Sequence, residues 1–239
     1  MDPNIQLSHN QAPSSPTKAA RMKHIPYRAA VSSLMHLAVG MCPDITFAIS
    51  TVAQFSNKPG MVHWEAVKRI YRYLAGTKGL ALTFGAGKKG LKGYTDADGA
   101  SQEHRHTISG YAYILDGGAV SWMSKKQELV TLLTAEAEYV AATHAVKEGI
   151  WLHRFIEEVF QLLANLTVLY CNNQAAITHT KDRSFHTCTK HIDIRYHFIH
   201  FVVDSGSFLL LYCPTADMTA DTLTKALPSV KTKHFAATL

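Results

Sequence analysis

The sequence predicts an α/β fold: a mixed five-stranded sheet flanked by helices and preceded by a small, mainly helical segment. Three observations lead there. Apolar residues upstream of Gly85 recur at helical spacing, residues 92–123 read as three short strands joined by turns, and from Thr134 onward helical and strand-like stretches alternate. A chain of 239 residues with 47% hydrophobic content can bury a sizeable core.

Residues 1–24 mix Pro, Ser, Asn, Gln and Lys without apolar periodicity and are expected to be a linker or disordered. Leu34, Leu37, Ala38 and Met41 share a helical face until Pro43 interrupts it, and a second helical stretch is expected over 44–55. After a turn at Asn57-Lys58-Pro59-Gly60, the residues Trp64, Val67, Tyr71 and Leu74 form another apolar face that ends at Gly76. Its aromatics read as core contacts rather than a base-stacking platform, while Lys68, Arg69 and Arg72 lie on the polar side. Leu80 to Phe84 reads as a short strand closing this 25–84 segment. Gly85-Ala86-Gly87-Lys88-Lys89-Gly90 matches a dinucleotide-loop pattern by letter, but a strand follows it rather than a helix. Residues 85–91 are therefore read as a basic linker.

A larger domain is expected over 92–228, followed by a tail at 229–239. Tyr94 and Thr95 favour an extended backbone and Gly99 eases a turn, which places Asp96 and Asp98 at or just past a strand end. Two readings of those carboxylates stand: a solvated acidic turn, or oxygen ligands that a strand holds for a hard divalent cation. Thr107 to Leu115 and Ala119 to Met123 complete an antiparallel meander around Gly117-Gly118, with Lys125 and Lys126 at its end. Thr134 caps a helix on which Glu138, Ala141, Ala142 and Ala145 share one face, and a separate helix is expected from Gly149 to about Leu163. Burying Glu138 is costly unless something compensates its charge, so a metal shared with Asp96 becomes plausible, whereas Glu136 should point elsewhere. Leu166 to Cys171 enters Asn172-Asn173-Gln174 as a strand-to-helix unit. Lys190 to Val203 reads as a helix, Phe208 to Cys213 as a strand, and Ala220 to Leu227 as a short helix carrying Asp221.

The four cysteines form no CxxC pair and read as reduced packing residues. The histidines at 179, 186, 191, 197 and 200 match no paired-ligand pattern. With neither a membrane-length apolar run nor a secretory core in the first 25 residues, an intracellular protein is expected, cytoplasmic or nuclear. A formal charge of +6 favours a polyanionic partner.

Several ordered blocks carry a resemblance. Tyr94-Thr95-Asp96-Ala97-Asp98, Ser109-Gly110-Tyr111, Ser121-Trp122-Met123-Ser124-Lys125-Lys126-Gln127, Thr134-Ala135-Glu136-Ala137-Glu138-Tyr139, Thr189-Lys190-His191-Ile192-Asp193-Ile194, Tyr212-Cys213-Pro214-Thr215 and Ala220-Asp221-Thr222-Leu223-Thr224-Lys225 resemble the ribonuclease H domain of Ty1/copia-type retrotransposon polyproteins. Tyr27 to Leu34, Pro43-Asp44-Ile45 and His63 to Ile70 are similar to the segment that follows the reverse transcriptase palm in those polyproteins. The polymerase's paired-aspartate motif is absent from this sequence, so it is not expected to polymerise DNA.

The resemblance implies a ribonuclease H-like fold in which four carboxylates hold two Mg²⁺ ions, or Mn²⁺, and cut the RNA strand of an RNA/DNA hybrid. By motif position the catalytic set is Asp96, Glu138, Asn172 and Asp221, with Asp96, Glu138 and Asp221 as metal ligands. Lys125, Lys126, Lys190 and Arg195 are the candidate nucleic-acid contacts, and the rest of a reverse transcriptase is a candidate partner. Family members usually read Cys-Asp-Asn-Gln where this chain reads Cys171-Asn172-Asn173-Gln174, so an anion is missing and impaired cleavage is expected. A second departure, Ser101 to Thr107, touches substrate contacts rather than the fold. The alternative is a non-catalytic nucleic-acid-binding or structural remnant.

Overall fold

The computed structural model describes residues 1–85, 90–99, 106–129, 131, 133–161, 166–179 and 193–239. Expectations for 86–89, Ser101 to Arg105, His186, Cys188 and Thr189 to Ile192, Lys190 among them, lie outside the described residues.

Four helices come first: α1 (Pro16–Lys23), α2 (Tyr27–Gly40), α3 (Thr46–Ala53) and α4 (Met61–Gly76). Leu34, Val52 and Val67 are fully buried at their centre, where the Tyr27 hydroxyl donates to the Val52 carbonyl at 2.7 Å. Residues 1–24 are not the unordered stretch expected. Ser8 and Ser15 cap a 3-10 turn (His9–Gln11) and α1, and Leu7 and Met22 are buried. His63 holds this stretch down by accepting from the Gly60 N–H and meeting the Ser8 carbonyl at 3.1 Å. Tyr71 is another departure, being 40% exposed. Residues 80–84 form no strand.

The sheet follows, with β1 (Leu91–Asp98), β2 (Ile108–Leu115), β3 (Gly118–Lys126), β4 (Thr167–Cys171) and β5 (Phe208–Tyr212) in the order β3-β2-β1-β4-β5. β1, β2 and β3 form the expected antiparallel meander, whereas β4 and β5 run parallel to β1. The β2–β3 turn is Asp116-Gly117, one residue earlier than expected, because both adopt positive φ. This mixed sheet flanked by helices is the ribonuclease H-like architecture.

Thr134 to Phe160 is one 27-residue helix, α5, rather than two. Gly149 does not break it, because bare backbone is required there: a Cβ would stand 2.6 Å from the Phe208 ring. Beneath it the Tyr113 hydroxyl donates to the Ala145 carbonyl at 2.6 Å. Among the described residues three shorter helices follow, α6 (Gln174–His179), α7 (Asp193–Asp204) and α8 (Ser229–Ala236). The expected tail is thus partly helical, with Phe235 buried and the Leu239 carbonyl accepting from the Ala119 N–H. The helical segment docks on β3 through Trp122 Nε1 to the Ala38 carbonyl (2.7 Å) and Ser50 Oγ to the Ser124 carbonyl (3.0 Å).

Gly110 of β2 sits opposite Asp96, and its missing side chain lets the 3-10 turn Thr219–Leu223 lie against the sheet. A Cβ at 110 would meet Thr224 Cγ2 at 2.8 Å and Leu223 Cβ at 2.9 Å. Gly110→Ala should therefore push that turn outward at a cost of about 1–3 kcal/mol in urea unfolding. A variant as stable as wild type would show that the turn does not need this contact.

Candidate active site

β1 and β4 are parallel neighbours with Thr95 opposite Cys171, the last residue of β4, so Asp96, still paired with Gly110 on β2, lies level with the first residue past the end of β4. That places Asn172 beside Asp96, and its Nδ2 donates to Asp96 Oδ1 at 3.0 Å. Facing a carboxylate, the amide turns its NH₂ inward, since its carbonyl would meet another acceptor. Glu138 enters from the second turn of α5, where it is 6% exposed. Asp221 enters from the 3-10 turn and, like Asp96, is 1% exposed. The four residues assigned by resemblance to catalysis thus converge at one end of the central strand pair.

The sequence reading missed two further members. The Thr224 hydroxyl donates to Asp96 Oδ2, and Lys225 Nζ stands 2.9 Å from Asp221 Oδ1 and 3.5 Å from Asp96 Oδ2. Lys225 follows Asp221 by four residues, a spacing visible in the sequence, but nothing in one dimension shows that Asp96 lies within its reach.

Burial first, then the charge of Asp96, pushes the Glu138 carboxyl up to about 9. Lys225 and the Ala97 N–H act against this, and Asp221 adds to it. Asp221 rises to about 6 for the same two leading reasons, opposed by Lys225. Burial pulls Lys225 down, but Asp96 and Asp221 outweigh it and keep the ammonium above its ordinary value. Glu136 points elsewhere: its Oε2 accepts from the Leu133 N–H at 3.5 Å at the start of α5.

The divalent cation that the resemblance implies needs hard oxygens free of hydrogen. Glu138 Oε2 is buried without a hydrogen-bond partner among the described residues, an orphaned hard oxygen that suits such a cation. Yet among the described residues no group of three or more His, Cys, Asp or Glu side chains is arranged to hold a metal as it stands. The inward amide NH₂ of Asn172 and the ammonium of Lys225 both point positive hydrogen at oxygens a metal would use. A cation could use those oxygens only once both donors turned away.

Of the basic candidates, Lys125 is exposed and stands 3.5 Å from Glu128, and Lys126 is half-buried. Lys125 and Arg195 gather with Lys147 around His144, whose imidazole is held below its ordinary value first by burial and then by those three cations. His144 and Lys147, which the sequence reading passed over, lie on the same helix as Glu138, His144 about 9 Å along it.

No protein-family model matches the chain. The retrovirus-related Pol polyprotein from transposon TNT 1-94 of Nicotiana tabacum is 45% identical over 229 residues, covering 95% of this chain and 17% of the polyprotein. The chain thus spans about a sixth of that relative's length. The secreted RxLR effector protein 161 of Plasmopara viticola is 45% identical over 133 residues, 55% of this chain and 94% of that protein. A foamy viral protease-reverse transcriptase in complex with RNA/DNA hybrid covers 90% of this chain and 28% of its own at 13% identity, with a TM-score of 0.52. The ribonuclease H LC11-RNase H1, also in complex with RNA/DNA hybrid, covers 56% of this chain and 93% of its own at 14% identity and TM-score 0.43.

A carboxyl held above its ordinary 4.5 favours the protonated form in the folded protein. Its contribution to stability is intact below that value and is lost as pH rises toward about 9. Glu138→Gln mimics the protonated form, so in EDTA its Tm should exceed wild type by a margin that grows as pH is raised. A margin independent of pH would mean that Glu138 is solvated.

Proposed function

We propose that the chain is a fragment of the Pol polyproteins of copia-type retrotransposons, its homologues over most of its length, and that residues 92–228 are a ribonuclease H-type hydrolase with impaired two-metal chemistry. Residues 25–84 are the end of the reverse transcriptase region, and 85–91 link the two. One observation carries the reading: Asp96, Glu138 and Asp221, from three separate elements, converge beside Asn172 with a buried carboxylate oxygen left unpartnered. The substrate is an RNA/DNA hybrid, and the cell interior, nuclear or cytoplasmic, is where the chain meets it. No helix among the described residues is long and apolar enough to cross a membrane.

Asp96, Glu138 and Asp221 would hold the divalent cations, Mg²⁺ or Mn²⁺. When bound, such ions supply an activated water and neutralise charge on the phosphodiester. The chain's own contribution is positional. The strand end fixes Asp96, α5 brings Glu138 in away from bulk water, and the Thr224 hydroxyl orients the Asp96 carboxylate. Asn172 works against this chemistry in two ways: it lacks the negative charge that would balance a second cation, and its amine occupies Asp96 Oδ1. The cations around His144 would track the phosphates of the bound strand, as would Lys126 and Lys190. That cluster and the net charge of +6 favour a second reading, a binding module that keeps the fold and a basic face without turnover.

Cleavage of a labelled RNA/DNA hybrid in Mg²⁺ and in Mn²⁺ tests both readings. Asn172→Asp should raise the rate ~10²-fold or more over wild type. Turnover by wild type equal to the variant would overturn the impairment. Two inactive proteins that still bind the hybrid with steep salt dependence would favour the binding module instead.

A further inference from the structure

We propose that Lys225 is a built-in counter-ion of the Asp96–Asp221 pair, which occupies the carboxylate cluster in place of a divalent cation and must withdraw before metal binds. The inference rests on the reading of Asp96, Glu138 and Asp221 as the metal-binding set, and adds a residue that gates it.

The geometry comes from a short piece of chain. The Lys225 N–H donates to the Asp221 carbonyl at 3.2 Å, closing one helical turn that stacks the lysine stem over Asp221. Its ammonium then reaches both acids, 2.9 Å from Asp221 Oδ1 and 3.5 Å from Asp96 Oδ2. Asn172 Nδ2 and the Thr224 hydroxyl take up the remaining valence of Asp96. Two aspartates, each 1% exposed, thereby share one ammonium, and Asp96 also takes hydrogen bonds from the chain's own amide and hydroxyl. A dication needs those oxygens stripped of hydrogen, and it repels an ammonium at such separations. Metal and ammonium therefore exclude one another.

The exclusion is reversible because of where the lysine lies. Its side chain is 29% exposed, whereas those of the aspartates it bridges are 1% and 2% exposed. A long flexible stem with one end in water can swing its charge outward at little cost. Asn172 disfavours the dication relative to the lysine: with an aspartate at 172 the cluster would carry one more anion than it does, and a doubly charged ion gains more from that anion than an ammonium does.

Calorimetric titration of Mn²⁺ into the metal-free, full-length chain, without nucleic acid, tests the inference. Lys225→Met keeps the stem and removes the charge, and it should bind Mn²⁺ at least ~10-fold more tightly than wild type, about 1.4 kcal/mol. Lys225→Arg should remain as weak as wild type. Asp221→Asn combined with Lys225→Met should lose the gain. A folded Lys225→Met protein that binds Mn²⁺ no more tightly than wild type, or not at all, overturns the proposal. Should Lys225→Met fail to fold, wild type suffices: in a Mg²⁺ titration followed by lysine side-chain ¹⁵N resonances, the Lys225 signal should move to that of a solvated ammonium as the site fills. Metal uptake that leaves this signal unmoved overturns it equally. Because these readouts need no cleavage, an inactive Asn172→Asp protein would sink the nuclease reading while leaving the lysine result to stand or fall separately.

Discussion

Burying Asp96, Glu138 and Asp221 within reach of one another is the condition to which the rest of the molecule answers. Burial, and then the charge of Asp96, raises the cost of ionising Glu138 and Asp221. Without an external cation the chain offsets this locally: an ammonium bridges two of the acids, an amide and a hydroxyl occupy the third-party lone pairs of Asp96, and burial disfavours ionisation of Glu138. The cluster keeps two buried oxygens without a hydrogen-bond partner among the described residues: Asp221 Oδ1, which faces the Lys225 ammonium at 2.9 Å, and Glu138 Oε2.

The architecture follows from bringing those groups together. The central strand must carry Asp96 level with the end of its parallel neighbour, which the Thr95–Cys171 pairing ensures. A helix must approach the sheet closely enough to insert a glutamate, which the small residues Ala141, Ala142, Ala145 and Gly149 permit. A late turn must settle against β2, which is why position 110 has no side chain. These are backbone approach distances, and they set the geometry before any charge is considered.

Much of this was legible in one dimension. The meander, the strand-borne Asp96 and the alanine face presenting Glu138 follow from periodicity and turn residues, because both are local signals. The misses are non-local. Gly149 reads as a break, and only Tyr113 and Phe208, arriving from two strands, explain why the helix continues. The first 24 residues read as unstructured because their apolar anchors Leu7 and Met22 are too far apart to show a period. That Asn172 touches Asp96 depends on a parallel pairing of residues 76 positions apart, and Lys225 could not be singled out without it.

The docking of the helical segment has a further bearing on the sheet. β3 is an outer strand, and the residues that shield its free side come from both ends of the chain: Ser50 from the first half, and the carbonyl of Leu239 at the last position. Were the 92–228 portion made without these flanks, that side would present bare amide and carbonyl groups to any other extended polypeptide. The flanking segments thus act as a sheath on that side of the sheet, and trimming them away would leave its outer strand open to edge-to-edge pairing with another copy.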